Sequence, residues 1–129
     1  MLNEFVLSKN ELEIMNLFWK EKRPLSKADI IELSVDKSWK ESSVYVLLKS
    51  LLKKGALKEY GFFKSNTNIG RTFAAALNEK EYAVMLININ RKELNLSLLD
   101  LVSGLIEQET DVSVIREIEG ILKNKFDKL

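Results

Sequence analysis

SWKESSVYVLLKSLLKKGAL, residues 38–57, decides how the rest of this chain is read. Val44, Leu47, Leu48, Leu51 and Leu52 recur at i, i+3, i+4, i+7 and i+8, which makes one helical face continuously apolar. With Val44 at zero and a step of about 100° per residue, Ser42, Val46, Lys49 and Lys53 fall within about 40° of the opposite pole. Ser43, Tyr45 and Ser50 flank them. No acid stands between Ser42 and Lys54. Lys53 and Lys54 suit the negative end of a helix dipole, and Gly55 stands where a left-handed C-cap belongs. The spacing predicts a helix over 41–54 with an apolar front and a basic back. That back either keeps the helix solvated or meets a negatively charged partner.

The neighbouring segments narrow the choice. Ser8-Lys9-Asn10-Glu11 has the form of a capping box. Leu12, Met15, Leu17, Phe18 and Trp19 then crowd one side of a helix that reaches about residue 22, and Pro24 ends the segment. Ser26 and Asp29 open a second, short helix bearing Ile30, Ile31 and Leu33. A turn follows over 35–38, and Trp39 closes it as a core residue. After Gly55 the period changes. Residues 56–60 read as a short strand, 62–70 (FFKSNTNIG) as a loop of turn formers, and 71–75 as a returning strand. Asn78-Glu79-Lys80-Glu81 is another capping box, before a helix through Tyr82, Met85, Leu86 and Ile89. Residues 94–108 are strongly apolar, and Asp111 caps a last helix through Phe126.

Three helices followed by a hairpin specify a mainly α chain built on a winged helix-turn-helix. In such a fold the third helix sits on the first two by its apolar face and offers its other face to a major groove. Ser42, Ser43, Tyr45, Val46, Lys49 and Ser50 are then the candidate base-reading positions: hydroxyls for base edges and Val46 for a thymine methyl. Lys53 and Lys54 suit phosphates, and Lys58, Lys64 and Arg71 on the hairpin could straddle an adjacent strand or minor groove. Tyr45 serves equally well packed on the domain's edge. The alternative function is a winged-helix interaction module whose basic helix docks an acidic protein.

Bulk composition agrees with a folded binding protein. The 129 residues are 46% apolar and 30% charged with a single proline, which is not the balance of a disordered chain. With no cysteine and no histidine, disulfides, thiolate metal sites and the commonest general base are all excluded. An enzyme, a cofactor and a metal are therefore not expected. No apolar run is long enough to span a bilayer, and the N-terminus lacks the pattern of a secretory signal, so a cytoplasmic protein with no membrane partner is expected. The net charge of +1 conceals an asymmetry. Residues 1–77 hold thirteen Lys and Arg against nine Asp and Glu, whereas residues 78–129 hold seven against ten. The sign flips where a domain boundary is expected: 1–77 for DNA binding and 78–129 for dimerisation.

The second segment has more aliphatic side chains than it can bury alone. Leu94, Leu98, Leu99, Leu101, Val102, Leu105 and Ile106, with Ile115, Ile118 and Leu122, are the expected interface of a homodimer. The competing arrangement is a monomer whose tail folds back on the winged domain.

Several of these stretches, taken in order, resemble one family. LSKNELEIMNLFWK (7–20), then W-x5-V-x2-L-L-x2-L-L-K-K-G-A-L (39–57), R-x-F (71–73) and N-E-K-E-Y (78–82) are similar to the penicillinase repressor and methicillin-resistance regulator family. The resemblance implies a homodimeric bacterial repressor with an N-terminal winged helix and a C-terminal helical dimerisation domain. Such a repressor binds a palindromic double-stranded DNA operator and controls resistance genes. It places Ser42, Ser43, Val46, Lys49 and Ser50 on the recognition helix and Arg71 at the start of the second wing strand. In the penicillinase branch it also implies a sensor protease and a cut at an Asn-Phe bond, a pair that this sequence lacks. Glu41 stands where the family often has proline, and Ser50 where it often has arginine.

Overall fold

The computed structural model describes residues 4–64 and 69–129, side chains at 63, 64 and 69 excepted. Two compact units make up the chain, residues 1–88 and 89–129.

The first unit opens with α1, Lys9–Glu21, whose capping box is complete. Ser8 Oγ accepts from the Glu11 amide, and Glu11 returns a carboxylate to the Ser8 amide. Lys22 ends the helix at φ 55°. After Pro24 comes β1, Leu25–Ser26, which runs directly into α2, Lys27–Leu33. Ser26 and Asp29 form the second capping box. A 3-10 turn, Glu41–Ser43, leads into α3, Val44–Lys54, and Gly55 caps it at φ 85°. The expected helix is therefore present, but its first turn, 41–43, is wound tighter than an α-helix.

The wing comprises β2, Leu57–Lys64, and β3, Ile69–Ala75, paired antiparallel. Its strands run further than the sequence suggests: residues 62–64 and 69–70, read as loop, lie in the ladder. Phe62 and Phe63 are good strand residues, and cross-strand pairing outweighs the turn-forming neighbours. The register shifts between Glu59 and Gly61, a bulge at Tyr60. β1 adds a third strand, with Leu25 opposite Phe73, so the order is β1-β3-β2.

One core unites these elements. Val44, Leu48 and Leu51 of α3 are buried with Ile14, Met15 and Phe18 of α1, Ile30 of α2, and Leu25, Leu57 and Phe73 of the sheet. Each such side chain contributes roughly 1.5–3 kcal/mol on leaving water. Trp39 is buried just before α3, with the Lys37 ammonium 5.5 Å from its ring centre. The first half of α4, Glu79–Leu94, belongs to this unit through Tyr82. The Tyr82 hydroxyl accepts the Leu7 N–H at 2.8 Å, and its ring lies 6.1 Å from both Phe5 and Trp19. Trp19 Nε1 in turn donates to the Leu77 carbonyl at 2.9 Å.

The second unit holds the end of α4, then α5, Leu98–Gln108, and α6, Val112–Asp127. Ser97 and Asp100 form a capping box for α5, and Asp111 caps α6 through the Ser113 amide. No residue of α5 or α6 is buried. Leu94, Leu98, Leu99, Leu105, Ile115 and Leu122 are exposed, and Leu101, Val102, Ile106 and Ile118 are half-buried.

Candidate nucleic-acid interface

The apolar stripe seats α3 so firmly that its opposite face is free. Val46 keeps 66% of its surface exposed and Tyr45 keeps 61%, and Ser42, Lys49 and Lys53 are exposed beside them. Ser43 is half-buried at the junction of the 3-10 turn and α3. An exposed aliphatic side chain among hydroxyls and ammonium groups suits a major groove, where thymine methyls sit among hydrogen-bonding base edges. Glu41, the one acid near the start of the helix, is paired with Lys37 at 3.6 Å.

Two carboxylates of α1 fix both ends of this segment. At its start, Glu13 accepts from the Ser38 amide at 3.1 Å and from the Ser38 hydroxyl, which also contacts Asn10. At its far end, Glu11 takes Ser50 Oγ on Oε2 and Lys54 Nζ on Oε1, both at 2.6 Å. Lys54 Nζ also reaches the Val6 carbonyl at 3.2 Å. Glu11 is only 3% exposed. Burial pushes its carboxyl pKa up, but hydrogen bonds from Lys54, Ser50 and Ser8 outweigh burial and hold it at about 2.

The expected contact residues therefore divide. Ser42, Tyr45, Val46, Lys49 and Lys53 share the open side of α3. Ser50 and Lys54 are turned toward α1 and spend their hydrogen bonds there. On the helical wheel they lie about 60° and about 100° from the outer pole of α3. On the wing, Lys58 is exposed, and Arg71 is exposed with its Nη1 2.6 Å from Glu59 Oε1. Lys64 closes β2, but its side chain lies outside the described residues. Sequence reasoning missed Glu11 and Glu13 as supports of α3. Their partners stand 25 to 43 positions away, and no local pattern reveals such a pairing.

Among the described residues no cluster of acids could hold a metal ion, and no helix is long and apolar enough to cross a membrane.

No curated protein matches this sequence. Among solved structures, the chain is similar to the monomeric form of Bacillus licheniformis BlaI in complex with the blaP half-operator. That match has 28% identity, covers 64% of this chain and 94% of that one, and has a TM-score of 0.46. The ferric uptake regulator of Francisella tularensis matches at 20% identity over 61% of each chain, with a TM-score of 0.44. The adhesin competence repressor of Streptococcus pyogenes matches at 12% identity over 97% of this chain and 81% of that one, with a TM-score of 0.39. The penicillinase repressor family model matches residues 7–124. A match over nearly the whole length, on a chain that folds as a winged helix, places this protein in the penicillinase repressor family, whose members are DNA-binding transcriptional regulators and not enzymes.

Proposed function

We propose that the protein is a repressor that binds a palindromic operator as a homodimer and silences a resistance or stress gene. The open face of α3 carries this reading: Ser42, Val46, Lys49 and Lys53 stand free of acid on a helix anchored at both ends. Val46 meets a thymine methyl, the Ser42 and Ser43 hydroxyls meet base edges, and Lys49 reaches a guanine edge or a phosphate. Lys53 and Lys58 neutralise backbone phosphates, which set register but carry no sequence information. In this reading residues 1–77 bind DNA and residues 78–129 dimerise.

Support for the dimer comes from the second unit. Leu99 is 75% exposed and Phe126 is 76% exposed, on helices that bury no residue of their own. An apolar surface of this extent is the half of an interface that a second copy completes. Two-fold symmetry then spaces the two α3 helices by whole turns of the duplex, or about 34–36 Å per turn.

A gel shift against the DNA flanking the protein's own gene tests the reading. A sequence-preferring complex that weakens steeply with salt is expected, with Lys49→Glu abolishing it while the fold persists. Failure of the wild-type protein to form such a complex, or an equally good complex with Lys49→Glu, would overturn the reading. Capture of an acidic protein by both the wild type and Lys49→Glu would also count against it.

A further inference from the structure

Beside the open face of α3, between that helix and the sheet, lies a cleft of 690 Å³. Leu48, Leu52 and Phe73 give it an apolar lining, and Lys27, Lys49 and Arg71 bring positive charge. Tyr45 lines it too, and none of the lining residues is acidic. Arg71 is already committed to Glu59. Lys27 and Lys49 form no ion pair among the described residues, so they supply the uncompensated charge.

Duplex DNA alone makes poor use of this cleft. A phosphate is hydrated and gains nothing from leucine and phenylalanine, while a purely apolar molecule leaves the ammonium groups unused. The volume falls in the range of small-molecule sites, about 300–1,000 Å³. The chemistry that satisfies the lining and the charge together is an anion on an apolar body. We propose that the cleft binds a small organic anion, a carboxylate carried on an aromatic ring system, and that its occupancy and operator binding exclude one another. The exclusion rests on the DNA-binding role proposed above, because Tyr45 and Lys49 belong to both surfaces. The ring system lies on Leu48, Leu52 and Phe73, and the carboxylate pairs with Lys27 and Lys49. Lys49 is thereby taken from the DNA, which gives the repressor a release step that cuts no peptide bond.

Competition sets the size of the effect. At a ligand concentration about 100 times its Kd, the apparent affinity of each protomer for its half-site falls roughly 100-fold.

The test uses the full-length chain, isotope-labelled for amide NMR, with 2-naphthoate as the probe and neutral 2-naphthalenemethanol as its control. Saturable shifts are expected at Tyr45, Lys49, Leu52 and Gly70 to Phe73, with the alcohol binding at least about tenfold more weakly. Lys27→Glu, outside the face assigned to base reading, should weaken 2-naphthoate at least about fivefold while the protein still shifts operator DNA. In the gel shift, 2-naphthoate should release the wild type at concentrations that leave Lys27→Glu bound. Shifts absent from the cleft, shifts confined to α5 and α6, or equal binding of the alcohol would overturn the site. Saturated binding with the DNA complex intact would overturn the exclusion. If 2-naphthoate binds as expected but the wild type never shifts DNA, the site stands and the repressor reading is what fails.

Discussion

Glu11 of α1 and Lys54 of α3, 43 residues apart in sequence, meet at 2.6 Å in an ion pair whose carboxylate is buried and whose ammonium is half-buried. Ser50, one turn earlier on α3, donates to the other Glu11 oxygen. Both hydrogen bonds come from one side of α3, so they set its roll against α1 and hence the direction in which Tyr45, Val46 and Lys49 face. Lys54→Met leaves the carboxylate buried with only hydroxyl and backbone partners. It should cost about 1–3 kcal/mol in urea unfolding, less than for a fully buried pair because water screens the half-buried ammonium. Glu11→Gln keeps a hydrogen-bonding group and should cost less.

The same carboxylate makes stability depend on acid. Its pKa falls from 4.5 in the unfolded chain to about 2 in the folded one. A depressed carboxylate contributes fully above the unfolded value and loses its contribution as pH drops through the folded value. Stability should therefore decline between about pH 4.5 and about pH 2, with Glu11 accounting for about 3 kcal/mol at 1.36 kcal/mol per pH unit. Urea midpoints across that window check this, and Glu11→Gln should flatten the profile.

Exposed positions on α3 should separate binding from folding. Lys49→Glu and Val46→Asp remove no buried contact, so unfolding midpoints should move by no more than about 0.5 kcal/mol. Operator affinity should nonetheless collapse for Lys49→Glu. Lys53→Ala should weaken operator and random DNA alike and reduce the steepness of the salt dependence by about one ion per protomer. Fluorescence anisotropy at several salt concentrations reads both effects.

Tyr82 ties the chain's start to α4 through one hydroxyl. Tyr82→Phe keeps the ring between Phe5 and Trp19 but strips the Leu7 amide of its partner. A loss of about 1–3 kcal/mol is expected in thermal or urea unfolding. Hydrogen exchange at Leu7 should speed up more than exchange in α3.

Self-association should depend on α5. Leu99→Glu combined with Leu105→Glu places charge on two exposed leucines without disturbing the core of the first unit. Sedimentation should show dissociation to single chains at micromolar concentration, with operator affinity falling and the circular dichroism of the winged unit retained.

Much of the fold is legible in the sequence because its signals are local. The stripe of Val44, Leu48 and Leu51, the left-handed Gly55 and the capping boxes at Ser8, Ser26 and Asn78 each sit within a few residues of one another, and each is present. β1 escaped because two residues, Leu25 and Ser26, are too few to show a period. The outer parts of β2 and β3 escaped because Asn66, Asn68 and Gly70 read as turn residues, while the ladder pairing Phe62 with Arg71 is a cross-strand property. The Ser97 and Asp100 box was hidden inside an apolar run. At the candidate interface, periodicity found the open face through Val46 and Lys49. It did not separate Lys53, which faces out, from Lys54, whose ammonium turns back to Glu11, because that choice depends on a partner helix far away in sequence.

Hydroxyl-radical footprinting of the DNA flanking the protein's own gene reports where the α3 helices lie on the duplex. Two related protected patches are expected, separated by a whole number of helical turns, both lost with Lys49→Glu and both faded by salt. Uniform protection along any duplex, or two patches that persist with Lys49→Glu, would contradict operator binding through α3.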